Sequence, residues 1–263
     1  MNRIDERFNK LKTENKKALI TFLTVGDPDI ATSERAILTM QSEGVDLVEL
    51  GVPFSDPAAD GPTIQRADER ALAAGVDIFK VFELVEKIRS EVTIPLVFLL
   101  YYNVVVQYGA EKFFERCAEV GVDGLIIPDL PYEESDEISE YCEKYGVYQI
   151  NLVSPTSHDR IRDIAKNSKG FLYCVSSLGV TGEKTEFSTD FDEFVGTIKK
   201  YSDIPACVGF GISNGAQVKN MCRYFDGAIV GSAIVKAIAS GENEDERIEN
   251  LKVKINDLKS GLI

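Results

Sequence analysis

Eight times along this chain a short apolar run is followed by a stretch with helical spacing. That alternation limits the possible folds more than any single residue does. The runs cover residues 18–25, 46–50, 96–101, 124–127, 148–153, 170–175, 206–209 and 227–230. Most are continuously apolar, as expected of parallel strands covered on both faces. Apolar residues at three- and four-residue spacing mark helices over 32–42, 78–90, 111–119, 133–144, 159–166, 191–199, 217–222 and 246–259. One more helix, 4–11, precedes the first strand, and a short one, 233–239, follows the eighth. Eight βα units in 263 residues predict an α/β chain closed into a (β/α)8 barrel, with residues 1–263 forming one domain. A doubly wound open sheet is the competing fold. It would carry a glycine-rich turn after its first strand, and Thr24-Val25-Gly26-Asp27-Pro28 is not that turn. Weak internal echoes favour the barrel: Gly44-Val45-Asp46, Gly121-Val122-Asp123 and Phe225-Asp226-Gly227 lead into strands, as do Ile94-Pro95 and Ile204-Pro205. A proline at the first position of a strand removes no essential donor.

Charge narrows the function classes. With 29 basic and 43 acidic residues the formal net charge is −14, a field that repels nucleic acid and anionic membrane surfaces. No apolar run reaches a membrane-spanning length, and the N-terminal residues lack the apolar core of a signal peptide. The five cysteines are widely spaced without a CxxC pair, which predicts reduced thiols and a cytoplasmic protein. The single histidine, His158, lies in a Ser-His-Asp run that reads as a helix entry. No histidine- or cysteine-rich cluster suggests a metal site, so none is expected.

In a barrel of this kind chemistry sits where strands meet the loops that follow them. Glu49 closes an apolar run, Leu47-Val48-Glu49-Leu50, and Asp60 lies eleven residues on, in a loop stiffened by Pro53, Pro57, Gly61 and Pro62. A carboxylate at a strand end facing a second one on a stiff loop suits acid–base chemistry on a small molecule. The same pattern also suits a structural ion pair at Glu49 and a turn residue at Asp60. Small-residue turns follow strands six, seven and eight: Thr181-Gly182, Phe210-Gly211-Ile212-Ser213 and Gly231-Ser232-Ala233. Glycines let backbone N–H groups approach an anion, and Gly231-Ser232 opens the short helix, so these turns predict a phosphate site. The long loop after strand six, Ser176 to Lys184, is expected to act as a closing lid.

With these motifs in place the chain resembles the α subunit of tryptophan synthase, from Arg7 to about Ile238. The resemblance rests on Pro53-Phe54-Ser55-Asp56-Pro57, Asp60-Gly61-Pro62-Thr63-Ile64-Gln65, Pro128-Asp129-Leu130-Pro131 with Glu133-Glu134-Ser135, Gly179-Val180-Thr181-Gly182, Gly209-Phe210-Gly211-Ile212 and Gly231-Ser232-Ala233-Ile234-Val235. It implies a TIM barrel with an extra N-terminal helix and a phosphate-binding helix after strand eight. The implied activity is retro-aldol cleavage of indole-3-glycerol phosphate to indole and glyceraldehyde 3-phosphate. Indole then passes through a tunnel to a β subunit in an α2β2 assembly, where pyridoxal phosphate resides; no cofactor is implied for this chain. The resemblance assigns Glu49 as general acid/base, Asp60 to the indole N–H and Tyr173 as a supporting hydroxyl. It places Thr181, Gly182, Gly211, Gly231 and Ser232 at the phosphate, and Phe22, Ile64, Leu99, Ile127 and Phe210 around the indole ring.

The chain departs from the pattern in places. Ser176-Ser177-Leu178 stands where some members carry an arginine, and either Tyr101 or Tyr102 could face the pocket. Indole-glycerol-phosphate synthase, a rival of the same pathway, would need a catalytic lysine at a strand end, and these strands end without one. A non-catalytic partner of a β subunit would have no use for Glu49, Asp60 and Tyr173.

Overall fold

The computed structural model describes every residue except His158, 176–190, Phe210 and Ile263. All strand pairs are parallel, in the order β5-β4-β3-β2-β1-β9-β8-β7-β6. The strands are β1 (Ala18–Thr24), β2 (Leu47–Gly51), β3 (Leu96–Leu99), β4 (Gly124–Ile126), β5 (Tyr148–Gln149), β6 (Leu152–Val153), β7 (Leu172–Val175), β8 (Ala206–Gly209) and β9 (Gly227–Val230). The two ends of that order, β5 and β6, are halves of the expected fifth strand. Between them Ile150 N donates to Leu125 O at 2.8 Å, while Asn151 O accepts from Tyr173 N at 3.0 Å. One segment thus bonds to β4 on one side and β7 on the other, and the barrel closes through it.

The helices are α1 (Arg3–Thr13), α2 (Ile30–Ser42), α3 (Pro62–Ala73), α4 (Ile78–Ile88), α5 (Tyr102–Tyr108), α6 (Ala110–Val120), α7 (Asp136–Tyr145), α8 (Arg160–Asn167), α9 (Phe191–Lys199), α10 (Gly215–Met221), α11 (Ser232–Ala239) and α12 (Glu244–Ser260). Two of them, α3 and α5, are absent from the sequence reading. Pro62 at the first turn of α3 has a fixed φ suited to a helix start, so the proline-rich loop before it runs directly into a helix. In α5 the run Val104-Val105-Val106 has low intrinsic helix propensity, and burial of Val105 overrides it.

The core divides into two layers with the period-two alternation of strands. Ala18, Ile20, Leu47, Val97, Ile126, Ile150, Phe171, Tyr173, Cys207 and Ile229 fill the barrel interior. The alternate residues, such as Leu19, Val48, Leu50, Phe98, Leu125, Leu172 and Val208, pack outward against the helices. Helix α1 plugs the barrel's lower end with Ile4, Phe8 and Leu11.

The aspartates of the internal echoes act at that lower end. Asp46 N donates to Leu19 O at 2.9 Å and its Oδ2 accepts from Leu19 N at 2.7 Å. Asp123 does the same with Leu96, at 2.8 and 2.9 Å, and Asp226 with Ala206, at 2.8 and 3.0 Å. Each aspartate therefore clips one strand start to the next and also holds a cation: Arg7 at Asp46, Arg3 and Arg89 at Asp123, Lys199 and Lys17 at Asp226. Arg3 and Arg7 belong to α1, so the same contacts seat the plug.

Asp123 and Arg89 have side chains only 3% and 12% exposed, whereas the Asp226 and Lys199 side chains are 34% and 37% exposed. Removing one partner of a buried pair leaves the other charge uncompensated and costs about 3–5 kcal/mol. Asp123→Ala should therefore destabilise the fold by about that amount, and Asp226→Ala by clearly less. Urea unfolding midpoints at matched slope would test the order, and equal losses would refute it.

Candidate active site

Glu49 lies in β2 opposite Phe22 of β1 and Val97 of β3. It is two residues beyond the inward-facing Leu47, so the alternation points it into the barrel near its upper end. The side chain is 1% exposed, and its Oε1 has no hydrogen-bond partner. Burial alone lifts its pKa to about 8, so the carboxyl is largely protonated at neutral pH. An unpaired buried polar atom is uncommon in a folded protein, and among the described residues Glu49 is the carboxyl that has one.

Tyr173 reaches the same space from β7, where it too is buried and points inward. A Cβ on Gly209 of the neighbouring β8 would lie 2.5 Å from the Tyr173 hydroxyl, so glycine there makes room for the phenol. Burial raises the phenol's pKa, and the nearby charges of Glu49 and Asp60 raise it further. Glu49 and Tyr173 thus both point into the barrel interior, and Asp60 is near enough for its charge to act on the phenol.

Asp60 stands at the end of the loop from β2 to α3 and is 7% exposed. The structure buries the group, and burial raises its pKa. A hydrogen bond from the Tyr101 hydroxyl to Asp60 Oδ2, at 2.8 Å, works the other way and favours the carboxylate. Tyr101 is thus the tyrosine that faces the site. Tyr102 begins α5 and turns its hydroxyl toward Glu137, at 3.4 Å. Tyr101 was one of two candidates in the sequence, and the turn from β3 into α5, which Tyr101 caps and Tyr102 begins, separates it from its neighbour. Asp68, on α3, is a further buried carboxyl of the region. Its pKa rises to about 8, through burial first and then the charge of Asp60.

The residues expected around an indole ring are only partly brought together. Phe22, Ile64 and Leu99 pack together, with Ala67 of α3 and Val235 of α11 as additional walls. Ile127 packs in the outer layer instead, with Leu125 and Leu130, and the adjacent Ile126 occupies the barrel interior in register with Leu99. The sequence places two isoleucines side by side, and a one-residue step exchanges the two faces of a strand. Gly51 carries no Cβ where one would lie 2.5 Å from the Phe22 ring.

Where the sequence predicts a phosphate, Gly231 precedes α11 with no side chain capping the helix start, leaving room for an anion at its N–H groups. Ser232 is the first residue of that helix, and both are half-buried. Gly211 has φ +89°, a conformation that favours glycine. Thr181, Gly182 and Phe210, together with the expected lid and His158, lie outside the described residues. Among the described residues no group of histidine, cysteine and acidic side chains is arranged to hold a metal ion, and no helix is long and apolar enough to cross a membrane. All five cysteines are free.

A (β/α)8 barrel with two buried carboxyl groups and a phenol gathered at the upper end of its strands belongs to the class of barrel enzymes that work by acid–base chemistry. Comparison with known proteins narrows the class. The sequence model of the family described as "Tryptophan synthase alpha chain" matches residues 8–262. The tryptophan synthase alpha chain of Thermoanaerobacter sp. (strain X514) is 50% identical over 262 residues, covering 100% of both chains. That of Clostridium beijerinckii is 47% identical over 264 residues, again with 100% coverage of both. Among solved structures, a chain of Mycobacterium tuberculosis tryptophan synthase superposes with a TM-score of 0.90 at 37% identity, covering 99% of this chain and 98% of that one. Tryptophan synthase subunit alpha from Legionella pneumophila gives 0.89 at 33% identity, covering 100% and 98%. The chain belongs to the tryptophan synthase alpha chain family.

The raised pKa of Glu49 has a consequence for stability. The unfolded chain loses this proton near 4.5 and the folded one near 8, so stability contributed by the protonated group falls as pH rises between those values. Glu49→Gln mimics the protonated form at every pH. Its melting temperature should match the parent near pH 4 and exceed it increasingly toward pH 8, as read by thermal unfolding across that range. A gap that shrinks as pH rises would contradict the burial argument.

Proposed function

We infer that this chain cleaves indole-3-glycerol phosphate to indole and glyceraldehyde 3-phosphate, the reaction of the family to which it belongs, and hands indole to a tryptophan synthase β subunit for L-tryptophan synthesis. The observation that carries the chemical reading is Glu49: a buried, protonated carboxyl with an unpartnered oxygen, aimed into the barrel beside Tyr173. In this family pyridoxal phosphate belongs to the β subunit, and the steps below use only side chains of this chain. We read residues 1–263 as one cytoplasmic barrel domain.

The retro-aldol step needs a proton on the indole ring carbon that bears the side chain, and then loss of a proton from the adjacent hydroxyl. Glu49, protonated near neutral pH, gives its proton to the ring carbon. The ring nitrogen then carries positive charge, which the Asp60 carboxylate stabilises through the N–H; one preorganised contact of this type supplies about 3–4 kcal/mol. Glu49, now a carboxylate, takes the hydroxyl proton while the Tyr173 phenol supports that oxygen. The carbon–carbon bond breaks, its electrons return to the indole ring, and the hydroxyl carbon becomes the aldehyde. Phe22, Ile64 and Leu99, with Ala67 and Val235, hold the ring. The α11 start at Gly231 and Ser232 holds the phosphate, so that remote binding keeps the scissile bond between Glu49 and Asp60.

Glu49→Gln should lower turnover by about 10²–10⁴-fold, as expected for loss of a positioned proton-transfer group. Asp60→Asn should lose most activity while retaining the fall in rate above about pH 8, where Glu49 gives up its proton. Steady-state assays with a β subunit present, across pH, test both. Activity of either variant within a few-fold of the parent removes that residue from the mechanism.

Gly231→Asp separates the phosphate grip from the rest of the site. Gly231 has φ −106°, and a Cβ there would sit at an ordinary 3.5 Å from Phe22. The added carboxylate should therefore repel phosphate without distorting the backbone. Titration of the variant should show binding of glycerol phosphate lost and binding of indole largely kept; unchanged binding of glycerol phosphate would place the phosphate elsewhere, and equal loss of both would indicate misfolding. Gly211 is the poorer probe, because any side chain at φ +89° strains the turn.

A further inference from the structure

Asp60 sits on a loop, and a residue outside that loop fixes it. The Tyr101 hydroxyl donates to Asp60 Oδ2 at 2.8 Å and accepts from Ala59 N at 2.9 Å, so one oxygen grips two consecutive residues. Tyr101 is itself 5% exposed and caps the start of α5, directly after β3, which roots it in the barrel wall. On its other side its ring stacks on Phe54, with centroids 4.9 Å apart and planes 18° apart. Phe54 is half-buried and opens the exposed stretch Ser55–Asp56 of the same loop. The ring and the hydroxyl of one tyrosine therefore hold both ends of the segment 54–60.

We propose that Tyr101 is a positioning residue for the cleavage reaction: its hydroxyl aims the Asp60 carboxylate at the indole N–H, and its stack on Phe54 links that aim to the exposed part of the loop. The proposal rests on the reading of Asp60 as the group that balances charge on the indole nitrogen. Other charged and titratable groups face this region. Asp68 approaches from α3, Asp27 lies beyond it and is bound twice by Arg70, and Glu49 and Tyr173 approach from β2 and β7. Against this acidic surround Tyr101 is the donor that favours ionised Asp60. Removing the hydroxyl leaves the carboxylate buried with that donor missing and raises the pH at which it ionises.

Four variants of the full chain, assayed with its β subunit, test this: Tyr101→Phe, Asp60→Asn, the double variant, and Phe54→Leu. Tyr101→Phe keeps the ring stack and removes only the hydroxyl. A hydrogen bond to a charged group predicts a fall in kcat of about ten- to a hundredfold. KM should change little. The acid limb of the pH profile should move up by about one unit or more, while the limb above pH 8 stays in place. In the Asp60→Asn background the same substitution should cost almost nothing further, because its target is gone. Phe54→Leu keeps the hydroxyl and loosens the loop, so it should shift kcat and the acid limb in the same direction by a smaller amount. An unmoved acid limb, or Tyr101→Phe and Asp60→Asn effects that simply multiply, overturns the proposal. So does a lowered melting temperature with parental kcat, which marks a purely structural tyrosine. If Asp60→Asn alone keeps parental turnover, the role of Asp60 itself fails, an outcome distinct from the others.

Discussion

The reciprocal bonds between Asp46 and Leu19, Asp123 and Leu96, and Asp226 and Ala206 set the stagger of the strands, and the rest of the architecture inherits it. Each aspartate both donates through its backbone and accepts through its side chain, so a one-residue slip would break two bonds and, at Asp46 and Asp123, strand a buried charge. A slip would also turn every side chain of the strand to the opposite face. Glu49 would then point into the helices and Val48 or Leu50 into the substrate space. The proposed catalytic geometry at the top of the barrel is thus specified by ion-paired clips at its bottom.

The site is a place where the fold acts against its own stability. Glu49 is buried with an unpartnered oxygen, and Asp60 and Asp68 are buried close enough to raise one another's cost. Surrounding features make this tolerable. The Tyr101 hydroxyl supports Asp60, while missing Cβ atoms at Gly51 and Gly209 accept the Phe22 ring and the Tyr173 phenol. Exceptions to ordinary burial rules collect at the proposed substrate site, as expected when local strain serves function.

Much of this was legible in the sequence because parallel strands are buried on both faces and read as unbroken apolar runs. Glu49 stood out as a charge inside such a run, and Asp60 as an acid among prolines. The same unbroken quality concealed which face each residue takes. Ile126 and Ile127 are chemically alike neighbours, and only the register with β3 tells the inward residue from the outward one; Tyr101 and Tyr102 are equally alike, and the start of α5 between them turns their side chains apart. Helix α3 hid behind Gly61-Pro62, which reads as a loop until the proline is recognised as a helix start. Helix α5 hid behind three valines whose local preference is overruled by packing. Ala67 and Val235 join Phe22 and Ile64 from helices α3 and α11, where nothing in their residue type sets them apart from other apolar helix positions.

The pairing of β9 with β1 carries a consequence for how the molecule is made. Ala18 to Thr21 bond to Gly227 to Val230, so the first strand to leave the ribosome waits for the last before its second edge is covered. No nascent chain shorter than that can close the cylinder, and until then β1 presents an open edge to the cell. Helix α1 meets a similar delay, since Arg3 finds Asp123 only after nearly half of the chain has been synthesised. Long-range pairing of this kind slows folding and lengthens exposure of sticky edges. The strand that seals the barrel leads straight into Gly231 and Ser232, so the proposed phosphate grip is completed in the same late step of synthesis.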